Sequence, residues 1–303
     1  MNRILVVIVT YNRKELLEEA IIALKKQTYQ EFDILIVDNA STDGTYENVV
    51  KKYESSKLKY MNTGENLGGA GGFNLGIKKA ILENYDFAWV MDDDSIPTPE
   101  SLESLVNKSK KIKNKFSFIS SLVKWVDDSF CKMNGVAVDN DKILSNYKAM
   151  NLRLLPIKSA SFVGCLINLK FAKKIGLPIK EFFIYADDLE YTLRLSNVEN
   201  AYLDFDSIVI HKMQDNVSSE INTVNKNRIE RYFFDFRNCT YILKKEKLKG
   251  FFKILYRYFK YFYKILKSNQ DKKLKRILII TKGTICGLFF NPKIEYVIEN
   301  GDE

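Results

Sequence analysis

Three consecutive carboxylates, Asp92-Asp93-Asp94, follow the apolar run Phe87-Ala88-Trp89-Val90-Met91 and precede Ser95, Pro97 and Pro99. Adjacent acids repel and resist burial, so packing alone gives no reason to end a strand this way. A hard divalent cation gives one, because it takes oxygen ligands and neutralises the cluster. The competing reading is a solvated acidic turn ahead of a helix. A second cluster, Asp187-Asp188-Leu189-Glu190, follows Tyr185-Ala186. At a helix start such acids either cap the helix and favour its dipole, or hold a carboxylate beside a cleft as a general base. His211, the only histidine, ends the strand-like run Asp206-Ser207-Ile208-Val209-Ile210. It is either a surface or core residue, or it completes a metal shell begun by Asp92 or Asp94.

A third feature is Asn66-Leu67-Gly68-Gly69-Ala70-Gly71-Gly72-Phe73-Asn74. Four glycines in five residues let the backbone approach a ligand and offer N–H groups to phosphate at a helix start. The spacing matches neither the dinucleotide fingerprint nor the P-loop. The segment reads as a ligand-side loop feeding a helix, with a flexible surface loop as the alternative.

The elements that must position these residues alternate strand and helix. Residues 4–10 form a continuous apolar strand, and residues 13–27 carry apolar side chains at helical spacing. Residues 32–37 form a second buried strand that ends in Asp38-Asn39-Ala40-Ser41-Thr42-Asp43-Gly44. A helix over 46–53, a strand over 58–61 and a helix running to about 84 lead to the strand that meets the acids. Beyond it the pattern predicts a helix, then short strands around 116–123, 132–138 and 159–169. Repeated β-α-β units make a parallel sheet, whose ligands lie beyond the strands' carboxyl ends. Thr10-Tyr11-Asn12, Asp38-Asn39, the Asn66–Gly72 run and Asp92–Asp94 all fall at such ends. Four polar strand ends on one edge make a site.

With 303 residues, 46% of them hydrophobic and 28% charged, the chain can bury a large core. Cys131, Cys165, Cys239 and Cys286 are far apart, which argues against a zinc site or disulfide framework and fits a reducing compartment. The opening apolar run is too short for a signal peptide, and no uncharged stretch is long enough to span a bilayer.

The net charge of +9 is uneven: Lys226 to Lys282 holds 18 Lys or Arg against 4 acids, leaving the remainder acidic. Within that tail Leu248, Phe251, Phe252, Leu255, Phe259, Phe262 and Leu266 share one helical face. Lys249, Lys253, Arg257, Lys260, Lys264 and Lys267 share another. This is the pattern of a helix lying in an anionic membrane interface, or of a helix packed on the body with its charges solvated. No recognised module supports nucleic acid as the partner.

Taken in order, Val9–Arg13, Val37–Gly44, Asn66–Asn74, Met91–Asp94 and Ala186–Tyr191 resemble the motifs of the family-2 inverting glycosyltransferases over about residues 3–212. The glycine run, the acid triplet and Asp187-Asp188-Leu189-Glu190 are most similar to galactofuranosyltransferases, with rhamnosyltransferases next. The resemblance implies an α/β GT-A fold, Rossmann-like, with a mostly parallel central sheet flanked by helices. It implies a catalytic domain over 1–224 and a basic helical, membrane-associating region over 225–303. Thr10, Tyr11, Asn12 and Asp38 would hold the nucleotide, and Asn66, Gly68, Gly69, Gly71, Gly72, Asp92 and Asp93 would line the donor. Asp92, Asp94 and His211 would ligate Mn²⁺ or Mg²⁺. Asp188 would be the base, with Asp187 the rival for that role, and Glu190 would be catalytic or hold the acceptor. Tyr185 and Arg237 would also lie on the acceptor side, Arg237 within an aromatic-Arg-Asn segment that the family shares. The expected partners are a UDP- or dTDP-linked sugar, a glycan or lipid-linked acceptor and an anionic membrane surface at the inner, cytoplasmic face. Two other readings stay open: a nucleotidyltransferase, which also sets paired acids at strand ends, and a non-catalytic binding module.

Overall fold

The computed structural model describes residues 2–217 and 220–297. Its elements are β1 (Ile4–Thr10), α1 (Lys14–Lys25), β2 (Asp33–Asp38), β3 (Leu58–Asn62), α2 (Gly68–Leu82), β4 (Phe87–Asp92), β5 (Ser95–Pro97), α3 (Ser101–Lys111), β6 (Phe118–Lys124), β7 (Ala137–Val138), α4 (Tyr147–Met150), β8 (Leu154–Ser159), β9 (Cys165–Asn168), α5 (Leu169–Ile175), α6 (Asp187–Ser196), β10 (Ala201–His211), α7 (Tyr232–Lys244), α8 (Lys247–Lys267) and α9 (Lys273–Phe289).

The strand order is β3-β2-β1-β4-β9-β6-β10-β8-β7, with β5 paired to β10. Strands β1, β2, β3 and β4 are parallel neighbours, β9 opposes β4 and β6, and β10 returns parallel to β6. Strand β1 is buried throughout because it is covered on both faces. Ile4, Val6 and Ile8 enter one layer with Leu17, Ile21 and Leu24 of α1, while Leu5, Val7 and Val9 enter the other with Phe73 and Ile77 of α2. That alternation makes the run read as continuously apolar.

Several sequence expectations change. The glycine run is not a loop: it forms the first turns of α2. Glycine in a helix interior costs ~1 kcal/mol relative to alanine, so there must be a reason for it. A Cβ on Gly72 would come within 2.5 Å of Val9 Cγ1, and one on Gly76 within 2.2 Å of Val7 Cγ1. These glycines let α2 lie directly on the sheet. Residues 46–53 form one π-helical and one 3-10 turn in place of a regular helix. The strand expected over 132–138 shrinks to Ala137–Val138, while the run before His211 extends to the eleven-residue β10.

Helices α7, α8 and α9 enclose a separate small core of Ile221, Ile229, Tyr232, Phe236, Ile265 and Ile280. After α9 the chain returns to the α/β body, where Leu177 N–H donates to Glu295 O at 2.8 Å and Lys78 Nζ pairs with the Glu295 carboxylate at 2.7 Å. Among the described residues no helix is long and apolar enough to cross a membrane.

Candidate active site

The carboxyl ends of β1, β2, β4 and β10 converge. Thr10 Oγ1 donates to Asp93 Oδ2 at 2.8 Å. Arg13, one turn beyond β1, reaches Asp93 Oδ1 at 3.3 Å and Asp94 Oδ2 at 2.6 Å. Asp94 Oδ1 lies 3.0 Å from His211 Nε2, and it is buried without an aligned hydrogen-bond donor. Strand β5, paired antiparallel to β10, sets Ser95 opposite His211 and so brings this pair together. On the ring's other side Nδ1 meets Asn134 Oδ1 at 2.8 Å and Cys131 Sγ at 3.8 Å. The Asn134 carbonyl accepts the Nδ1 proton, which leaves Nε2 facing Asp94.

Burial dominates the titration of the triplet. It pushes Asp92 well above the usual carboxylate range, with Asp94, Asp93 and the nearby Asp187 adding to the push. Burial raises Asp93 to about 6 against the pull of Arg13. Asp94 is held below the usual range, because His211 and Arg13 outweigh its desolvation. Although burial works against its charge, His211 is lifted to about 10 by Asp94 and Cys131. His211 and Asp94 thus favour an ion pair beside the Arg13 guanidinium, and a cation taking Nε2 would displace its proton.

Two carboxylates and an imidazole suit a hard divalent cation in kind, and Asp94 Oδ1 is a buried oxygen with bonding capacity to spare. Asp93 has both oxygens engaged, by Thr10 and Arg13. Among the described residues no three His, Cys, Asp or Glu side chains form a preassembled ligand set. A cation held by Asp94, His211 and Asp92 would therefore draw its remaining ligands from substrate and water.

At the end of β2, Asp38 Oδ1 accepts from Ser41 N–H and its Oδ2 from Tyr60 Oη, both at 2.8 Å. Asn12 has φ +53° and ties the β1 loop to the β2 loop through Ser41 and Thr42. Tyr11, just past the end of β1, is exposed. At the start of α2, Asn66 Oδ1 accepts from Gly68 N–H, and Ala70 N–H donates to Phe183 O. Those two amides are already used within the protein. Gly68 has φ +70°, and a Cβ there would strike Phe183 O.

Phe183 begins the loop that delivers Asp187 and Asp188. Three non-glycine residues in this loop are left-handed: Phe183 (φ +63°), Tyr185 (φ +68°) and Ala186 (φ +63°). Such conformations cost about 1–3 kcal/mol each and persist only when neighbours impose them. The neighbours lie on α7. Asn238 Nδ2, fully buried, donates to Phe182 O, Ile184 O and Tyr185 O at 3.0, 3.1 and 2.8 Å. Arg237 donates to Glu181 O and Phe182 O and sits over the rings of Phe234 and Phe290. Tyr185 stacks near Tyr232, with ring centroids 5.6 Å apart.

The helix cap is Ala186, so Asp187 and Asp188 are not capping side chains but the first two residues of α6. Burial and the charge of Asp188 raise Asp187 to about 8, and burial raises Asp188 to about 6 against the N–H of Leu189 at 2.7 Å. The two carboxylates titrate as a pair, and the deeper burial of Asp187 favours the proton on its side. Glu190 differs from both: Arg194 Nε grips its two oxygens at 3.0 and 2.9 Å, and Lys245 Nζ approaches to 3.0 Å. That carboxylate is saturated and holds α6 to the C-terminal helices. The guanidinium of Arg237 is likewise spent on the loop. Arg13, Tyr60, Asn134 and Asn238 do structural work in the site that no local pattern announces; only Arg13 and Asn238 stand inside motifs, Val9–Arg13 and the aromatic-Arg-Asn segment.

A family model described as Glycosyl transferase family 2 matches residues 5–176. An uncharacterized glycosyltransferase of Rickettsia felis is 30% identical over 208 residues, covering 68% of this chain and 33% of that protein. The galactofuranosyltransferase GlfT1 of Mycolicibacterium smegmatis is 27% identical over 62% of this chain and 64% of its own length. GlfT1 of Mycobacterium tuberculosis is 26% identical over 80% of this chain and 83% of its own. The chain thus spans about a third of the first of these relatives and under two thirds of the second. S. aureus TarS shares the fold at a TM-score of 0.55 and 17% identity, over 93% of this chain and 71% of that one, and has been solved with UDP and with UDP-GlcNAc. The parallel strand order, the polar strand ends and the family match agree: this chain belongs to glycosyl transferase family 2, with a GT-A fold.

Proposed function

We propose that the protein transfers galactofuranose from UDP-galactofuranose to a glycan or lipid-linked glycan, with inversion at the anomeric carbon. The observation that carries this reading is the convergence of the acid triplet with Thr10, Arg13 and His211 at the strand ends, with Asp187 near enough to add to the push on Asp92. The donor's nucleotide would lie over Thr10, Tyr11, Asn12 and Asp38, with its diphosphate toward Asp92, Asp94 and the start of α2. Mn²⁺ or Mg²⁺ held by Asp92, Asp94 and His211 would supply Lewis-acid stabilisation of the departing nucleoside diphosphate. Asp188 takes the acceptor hydroxyl proton as that oxygen attacks the anomeric carbon and the bond to the diphosphate breaks. Asp187, the more buried of the pair and the one whose carboxyl burial raises furthest, would not compete as the base. Residues 1–224 would carry the chemistry. Residues 225–303 would seat it on an anionic membrane at the inner face of the cell, where a lipid-linked acceptor is presented.

The galactofuranosyltransferase relatives support the sugar, and the UDP complexes of TarS support the nucleotide. A panel of sugar nucleotides that includes UDP-galactofuranose and dTDP-rhamnose, scored for metal-dependent release of nucleoside diphosphate, tests the reading. Preference for dTDP-rhamnose moves the donor to rhamnose. Release of pyrophosphate moves the chemistry to nucleotidyl transfer. Full transfer by Asp94→Ala in chelator removes the metal role.

A further inference from the structure

The C-terminal helices show which of their faces is free. In α8 the buried residues are Gly250, Ile254 and Ile265, and Arg257 and Tyr261 pack on Phe236 of α7. The larger apolar stripe, Leu248, Phe252, Leu255, Phe259 and Leu266, is exposed, with Phe259 61% accessible. In α9 the inward residues are Ile280, Gly283 and Gly287, the two glycines resting on Phe236 and Thr240 of α7. Its opposite side exposes Leu274, Leu278, Ile285, Leu288 and Phe289, with Leu278 60% accessible. Tyr258 Oη meets Thr281 Oγ1 at 2.9 Å, which marks the seam between the two helices. On each helix, turning from α7 past this seam leads directly to the exposed stripe, so both stripes lie on the same outer side.

We infer that α8 and α9 together form one two-helix platform that seats in the interface of an anionic bilayer. This rests on the peripheral membrane placement proposed above and extends it to α9. Charge selects the occupant. From Lys247 to Phe289 the chain has twelve Lys or Arg and a single acid, Asp271. Lys253, Lys264 and Lys275 pair with Glu246, Glu220 and Glu230, whereas Lys249, Lys260, Lys267 and Lys282 have no carboxylate partner among the described residues. Lys249, Lys260 and Lys267 line the far edge of the α8 stripe, and Lys282 lines the far edge of the α9 stripe. An apolar centre with lysines on both rims matches acyl chains bordered by anionic headgroups. A second copy would set the same unpaired lysines against each other, with no acids to meet them.

Vesicle flotation of the full chain tests this, using phosphatidylcholine vesicles with and without phosphatidylglycerol, at low and high salt. The unchanged protein should float with the anionic vesicles and release at high salt. Phe259→Glu on α8 and Leu278→Glu on α9, each checked for wild-type circular dichroism and melting, should each weaken vesicle partitioning about tenfold or more. Loss with Phe259→Glu alone overturns the two-helix platform and leaves the α8 placement standing. No flotation of the unchanged protein overturns both. Sedimentation showing a dimer that either variant dissolves, without vesicle binding, assigns the surface to a second copy and overturns the inference.

Discussion

Asn238 is buried, lies more than fifty residues from the loop it holds, and makes a prediction that separates support from chemistry. Asn238→Ala removes the donor for three carbonyls of a loop with three left-handed residues. Each lost bond to a buried acceptor costs about 1 kcal/mol, so the substitution should destabilise the protein by about 2–4 kcal/mol. The loop then relaxes toward ordinary dihedral angles and moves Asp187 and Asp188. A displacement of about 1 Å at a reacting group costs roughly 100-fold in rate, so kcat should fall by about that factor. The donor KM should change little, because Thr10, Asp38 and the acid triplet sit on strand ends that Asn238 does not touch. Asn238→Asp is nearly isosteric and should be worse than alanine, since it offers no donor and sets a charge against three carbonyl oxygens. Urea melts, hydrogen exchange over residues 182–188 and steady-state kinetics on the panel-selected donor measure the three effects. Wild-type exchange and wild-type kcat in both variants would refute the clamp, and so would a loss confined to donor KM.

Asp188→Asn should abolish turnover while retaining nucleotide binding, and the wild-type kcat/KM should fall on acidification with an apparent pKa of about 6 for the pair, as a base requires. Asp187→Asn should shift stability with the opposite sense of pH. The folded state holds the Asp187 proton up to about 8, far above its unfolded value, so wild-type stability declines as pH rises toward 8. The variant has no such proton to lose, and its melting-temperature advantage should widen from about pH 4, the unfolded carboxylate value, to about pH 8 and level off above it. Glu190→Ala should lower stability by about 1–3 kcal/mol in urea, because the part-buried Arg194 loses its carboxylate while keeping Ile175 O and Leu177 O, and should leave the acid limb of the pH profile in place. Gly72→Ala should cost about 1–3 kcal/mol, since the added methyl meets Val9 at 2.5 Å and α2 must lift from the sheet.

What the sequence revealed follows from where its apolar runs stop. Thr10, Asp38 and Asp92 each end a strand buried on both faces, so their convergence is a property of parallel topology and is readable from alternation alone. His211 was legible for the same reason, although β5, which sets Ser95 opposite it, was not. Long-range contacts hid the rest. Arg13 follows a strand and precedes a helix, and nothing local says that its guanidinium turns back onto the triplet. The glycine run misleads because propensity marks it as loop, whereas the need to bring α2 against Val7 and Val9 makes it helix. In α8 the pattern allows either a membrane-facing or a packed stripe, and the structure packs the mixed face around Ile254, Tyr261 and Ile265.

The grip of α7 on residues 182–185 bears on how such enzymes can be recombined. The family match ends at residue 176, where Gly176 and Leu177 meet the returning segment around Glu295. A chimera joined at residue 224 would place one parent's strained loop under another parent's asparagine. A junction at 176 carries the loop, α6, β10 and the helices that hold them across together. The proposed base and the tail would then travel between relatives as one block, and a graft of the tail alone would leave the loop of residues 182–185 without its matched clamp.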